Sequence, residues 1–165
     1  MKNIIITLNI VLAFIISSVS SNAQDNPYYK RSYIGSVELA AGGYLYNSAN
    51  ANLYTTHGIA YGNGLYTGIG TGYNFAQKSF PLYIEGRYSF IDDEVSPFVS
   101  ARIGAMLGSS GLYASPTIGI DFGKWSALFR YEYNTFNYKN TDKSSPIEYL
   151  IAYFHALYLG VAFSF

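Results

Sequence analysis

Read by the spacing of apolar and polar positions, the chain is a series of short segments with period two, separated by turn residues. The segments are Ser32–Tyr46, Leu53–Gly62, Leu65–Phe75, Leu82–Phe90, Phe98–Leu107, Leu112–Phe122, Trp125–Thr135 and Glu148–Phe165. Tilted strands that cross a bilayer need roughly 9–11 residues, and most of these segments are near that length. Gly62-Asn63-Gly64, Ile91–Ser96 and Gly123-Lys124 read as turns at one end. Asn47–Asn52, Ala76–Pro81, Gly108–Gly111 and Phe136–Pro146 read as loops at the other. Asn63-Gly64 carries the residues of a two-residue hairpin, because both must tolerate positive φ. No segment has the 3.6-residue period of an amphipathic helix.

Charge gives this layout an internal test. The charged residues within strands are Glu38, Glu85, Arg87, Arg102, Asp121, Arg130 and Glu132, and every one falls on the same parity of its strand. The opposite parity is apolar, with Val37 and Leu39, Ile69, Ile84, Ile103, Ile118 and Ile120, Phe129, and Leu157 through Phe165. An Arg or Lys facing lipid at mid-depth costs about 2–4 kcal/mol, so a spanning barrel must segregate its charges in this way. Alternation also suits a soluble barrel with an apolar ligand cavity. Two features favour lipid outside. The charged parity is rich in Gly and Ala, which fit a narrow interior, and aromatic residues gather near the strand ends as interfacial belts. The expected fold is therefore all-β, an eight-stranded antiparallel up-and-down transmembrane β-barrel.

Composition narrows the classes further. Of the 165 residues only 12% are charged, while Tyr numbers 18 and Phe 11. Ten basic and ten acidic residues cancel, so no global field gathers nucleic acid. The absence of Cys removes disulfides, thiolate chemistry and thiol metal sites. Lys2, the apolar run Ile4–Ile16 and the small residues up to Ser21-Asn22-Ala23 read as a signal peptide over residues 1–23, cleaved after Ala23. Residues 24–31 are expected to be a short periplasmic segment, and residues 32–165 the barrel.

Several motifs resemble one family. Gly68-Ile69-Gly70-Thr71-Gly72-Tyr73, Pro81 to Tyr88, Ser96-Pro97-Phe98 and the closing Gly160–Phe165 resemble small bacterial outer-membrane β-barrels of the porin-like and OmpA/OmpX type. The resemblance implies location in the outer membrane among its lipids and lipopolysaccharide. It also implies that Tyr158, Gly160, Phe163 and Phe165 form the signal read by the outer-membrane assembly machinery. The fold hosts many activities, so function must come from the site. The expectation is a monomer with a structural or surface-interaction role, no enzymatic activity, no cofactor or metal, and an extracellular partner at the loops. The alternative is a small passive pore, for which Gly68, Gly70 and Gly72 would leave room on one wall. A third reading is a lipid A-modifying hydrolase.

The candidate chemistry is sparse. The seven strand charges are expected to pair across the interior, since eight strands enclose just enough space for side chains to fill. The glycine run fails as a dinucleotide loop because Tyr73 stands where the final glycine belongs and no helix follows. His57 and His155 lie on the apolar parity. Thr55 is two residues from His57, but no strand carboxylate shares that parity, so a hydrolytic set is incomplete. Asp92-Asp93-Glu94 lacks the spaced ligands of a calcium loop and reads as a solvated turn. Lys139, Asn140, Asp142 and Lys143 make the last loop polar. The long final segment from Glu148 suggests a hairpin that rises above the membrane with a free edge.

Overall fold

The computed structural model describes residues 26–44, 49–107, 111–139 and 149–165. Eight strands run in chain order: β1 (Arg31–Tyr44), β2 (Ala49–Tyr61), β3 (Leu65–Asn74), β4 (Phe80–Ser89), β5 (Val95–Leu107), β6 (Gly111–Phe122), β7 (Trp125–Lys139) and β8 (Tyr149–Ser164). Each pairs antiparallel with the next, and β8 returns to β1, so the sheet is a closed barrel. Its closing seam runs from Ser36↔Ser164 to Tyr44↔Ala156. The Phe165 backbone extends that seam by exchanging two hydrogen bonds with Gly35 at 2.8 and 2.9 Å. Closure leaves no strand edge within the paired wall.

The turns named from sequence are present between β2 and β3, β4 and β5, and β6 and β7. Gly62 and Gly64 take φ of 84° and 80°, a region costly for other residues. The main differences lie at strand ends. β2 begins at Ala49 rather than Leu53, so Asn50 and Asn52 belong to the strand and not to a loop. Both side chains are buried in the interior. In a barrel with a polar lumen, an asparagine pointing inward resembles a loop residue by composition alone. β4 and β5 likewise start earlier, at Phe80 and Val95. β7 continues to Lys139, because β8 stays paired with it as far as Lys139↔Tyr149. Residues 1–23, expected to be a signal peptide, together with Asn140, Asp142, Lys143 and Glu148, lie outside the described residues.

The segment before β1 is folded. Pro27–Tyr29 form one 3-10 turn, capped by the Asn26 side chain, which accepts from the Tyr28 N–H at 3.0 Å. Tyr28 is 2% exposed and inserts its ring at the turn end of the barrel. Its hydroxyl meets Ser164 Oγ at 3.2 Å, and its ring stands edge-on to Tyr66 with centroids 5.5 Å apart. Asn26 donates to the Ile91 carbonyl, and Tyr29 to that of Ser89. The described part of the segment expected before the barrel is thus a strap across that mouth.

The two faces of the wall differ as the alternation requires. The outer face carries an apolar surface that includes Ile69, Ile84, Ile103, Ile118 and Leu159. Among the described residues no helix is long and apolar enough to cross a membrane, and any crossing falls to the strands.

Candidate functional site: the barrel interior

The interior is a stack of polar layers. Glu38, Glu85, Arg87, Arg102, Asp121, Arg130 and Glu132 all point inward and are buried. Period two puts them there, since each lies two or four residues along its strand from another inward side chain. Nearest the turn end, Arg87 bonds Asp121, which also accepts from Ser126 Oγ at 2.6 Å and Ser89 Oγ at 3.3 Å. The Arg87 guanidinium lies 3.5 Å from the centre of the Phe98 ring and 4.1 Å from that of Tyr28, held between two aromatic faces.

At mid-barrel, Glu38 from β1 holds two guanidiniums from across the lumen. Arg130 meets it through both terminal nitrogens, with Nη2 at 2.7 Å from Oε2. Arg102 Nη2 reaches the same Oε2 at 2.9 Å, and its Nε donates to Glu85 at 2.8 Å. Arg130 Nε is taken up by Thr117 Oγ1 at 3.0 Å. The third layer centres on Glu132. It accepts from Tyr54 OH at 2.5 Å and from Asn134 Nδ2 at 2.8 Å. Six of the seven charges are therefore joined in ion pairs, while Glu132 is held by neutral donors. Above it, Asn50 donates to Asn52, Asn74 and Tyr158 at 3.1, 3.1 and 2.8 Å.

Tyrosines that sequence reasoning missed fill the remaining space. Tyr54, Tyr66, Tyr83, Tyr113 and Tyr158 are all buried. Three of them lie against the glycine run of β3. A Cβ added at Gly68 would fall 2.5 Å from Tyr66 OH, at Gly70 2.6 Å from the Tyr83 ring, and at Gly72 2.2 Å from the Tyr54 ring. The glycines do not leave an open wall; each makes room for a ring. The signal was present in the strand parity of these tyrosines. What concealed it is that Tyr also favours membrane interfaces, so residue type alone did not separate lumen from girdle. Phe98 and Tyr44 likewise stand near strand ends, where interfacial belts were expected, yet belong inside. Phe98 lies under Arg87, and Tyr44 packs edge-on against Phe154.

The interior cavity among these groups measures about 10 Å³, about the room of one water molecule. The described side chains fill this part of the interior and hold its charges in place.

The histidines point outward. His57 Nδ1 pairs with Tyr33 OH and its Nε2 with Thr55 Oγ1, the latter at 3.1 Å. His155 Nδ1 pairs with Tyr131 OH, and Tyr133 packs against its ring. No carboxylate orients either ring among these contacts, and a nucleophile–base set needs one. No group of three His, Asp or Glu among the described residues is placed to hold a metal ion. Of the closing-strand residues, Tyr158 is buried in the lumen and Gly160 faces Leu128 and Ala40. Phe163 packs on Trp125 at 4.9 Å between centroids, and Phe165 is exposed beside His57.

This geometry defines an eight-stranded transmembrane β-barrel with a polar, side-chain-filled interior. Two solved structures share the fold. A de novo designed transmembrane β-barrel matches with 13% identity and a TM-score of 0.52, covering 87% of this chain and all of that one. Neisserial surface protein A (NspA) matches with 17% identity and a TM-score of 0.51, covering 82% of this chain and 99% of that one. No family model and no curated protein matches the chain. At these identities the likeness establishes the fold and leaves the role to the site.

Proposed function

We propose that the chain is an exported outer-membrane barrel, cleaved after Ala23, that offers its loop end to partners outside the cell and carries out no chemistry itself. The observation behind this reading is the β7–β8 hairpin. Among the described residues the β6–β7 ladder has its last pair at Tyr113↔Asn134, and the β1–β8 ladder at Tyr44↔Ala156. β7 and β8 continue together through five more pairs, from Thr135↔Tyr153 to Lys139↔Tyr149. At about 3.3 Å per residue these five pairs add roughly 16 Å of paired hairpin beyond Asn134. Among the described residues the β1-side edge of β8, from Tyr149 to His155, has no ladder partner. An exposed row of backbone donors and acceptors takes up an extended segment by strand addition.

Lipids and lipopolysaccharide would surround the apolar outer face, and the assembly machinery would read the strand ending at Phe165. Closure within one chain fits a monomer, with the tight turns on the periplasmic side. Hydrogen exchange in lipid vesicles tests the hairpin. Tyr149–Ala152 should be protected by pairing with β7, and free exchange there would remove the basis for the interaction role. The lumen offers a second check. Proteoliposomes should pass small solutes no faster than protein-free vesicles. Flux that a bulky residue at Gly70 abolishes would instead establish a pore. Altered lipid A in expressing cells would turn the reading toward a hydrolase.

A further inference from the structure

We propose that the strap at residues 26–29 is a latch on the closing seam, holding β8 against β1 from inside at the turn end of the barrel. The seam differs from the other ladders, each of which joins strands consecutive in the chain. It joins segments as far apart as Ser36 and Ser164, so bringing them together carries the largest loop-closure cost. It can also part without separating any two strands that follow each other. At the turn end its backbone pairing is short. β1 pairs with β2 from Arg31↔Tyr61 onward, but with β8 only from Ser36↔Ser164, preceded by the exchange between Gly35 and Phe165. Among the described residues, 31–34 have no ladder partner on the β8 side.

Tyr28 stands over that stretch and reaches both sides of the seam. On the β1 side its ring belongs to one buried cluster with Ile34, Ala60 and Tyr66. On the β8 side its hydroxyl meets Ser164 Oγ at 3.2 Å. The strap is itself anchored away from the seam. The Tyr28 carbonyl accepts from the Gly64 N–H at 3.2 Å, Tyr29 OH donates to the Ser89 carbonyl at 3.0 Å, and Asn26 Nδ2 donates to that of Ile91 at 3.2 Å. The β2–β3 turn, β4 and the β4–β5 turn thus hold the strap while Tyr28 holds the seam. These contacts exist together only when β8 has returned to β1. The docked strap therefore favours the closed barrel over the open one by its own docking free energy, and its release frees the seam at this end.

Amide hydrogen exchange of the full mature chain in lipid nanodiscs tests the latch, because the last two bonds of the seam are donated by the N–H groups of Gly35 and Phe165. Tyr28→Ala should speed exchange at these amides by more than about tenfold, since it removes a buried ring together with its hydrogen bond. The β5–β6 ladder around Ile103↔Ala114, on the far wall, should keep its rates. Tyr28→Phe and Ser164→Ala lose only the hydroxyl contact and keep the test open if Tyr28→Ala does not fold. Each should raise seam exchange roughly three- to tenfold, and the two together no further than either alone. Unchanged seam exchange in these two variants would overturn the latch. So would acceleration of the Ile103 ladder in step with the seam. Additive effects of the two variants would show that the hydroxyls do not act through their contact, and would equally overturn it.

Discussion

Replacing Glu38 with alanine is expected to destabilise the barrel by about 3–5 kcal/mol, the cost typical of breaking a buried ion pair from one side. Glu38 is the only carboxylate paired with Arg130 among the described ion pairs, and it also holds Arg102. Without it, two guanidiniums share the middle of the lumen with Glu85 as the nearest compensating charge. The methyl group of alanine cannot fill the space that remains. The urea midpoint in lipid vesicles should fall sharply, and the heat-modified mobility shift on gels should appear at a lower temperature. The double change Glu38→Leu with Arg130→Met separates charge from packing. It removes one acid and one base together and leaves Arg102 paired with Glu85 at 2.8 Å. Most of the lost stability should return, because an apolar pair of similar volume often replaces a buried ion pair at little cost. A double variant as unstable as the single one would mean that shape, and not unpaired charge, dominates there.

The second large effect belongs to the outer face. Ile84 is 65% exposed near the centre of β4, with Ile69 and Ile103 opposite it on the neighbouring strands. Ile84→Arg should cost about 2–4 kcal/mol in a bilayer, the range for a cation held at mid-depth against lipid. The same substitution on a water-facing barrel would move stability by no more than about 0.5 kcal/mol. Equilibrium unfolding from vesicles, compared with Ile84→Val, distinguishes the two. A neutral Ile84→Arg would overturn the membrane-facing assignment of this surface.

These two positions lie one residue from partners of opposite parity, and that parity was legible without coordinates. Glu85 follows Ile84 and Glu38 follows Val37, and alternation alone assigns each to its side. The same rule recovered the antiparallel order, the turns at Gly62–Gly64 and Gly123–Lys124, and the closing role of the strand that ends at Phe165. Asn50, Asn52 and the five inward tyrosines were harder. Their residue types are common in loops and at interfaces, and nothing local separates those settings from a polar lumen. The strap at Asn26–Tyr29 was harder again, since its contacts to Ser164, Ile91 and Ser89 join positions far apart in the chain.

The sequence by itself thus determined the class of structure: strand length, alternation and charge parity admit a spanning barrel and little else, because backbone groups in lipid must pair and charges must turn inward. Only the tertiary structure decided how the interior is occupied. Which acid meets which arginine, whether glycines leave a gap or receive a ring, and how far β7 and β8 stay paired with each other depend on register across strands. Register is a relation between distant segments, and period two within a strand carries no information about it beyond parity. The extent of the final strand, with Phe165 at the seam and Tyr149 paired to Lys139, shows both halves of that division.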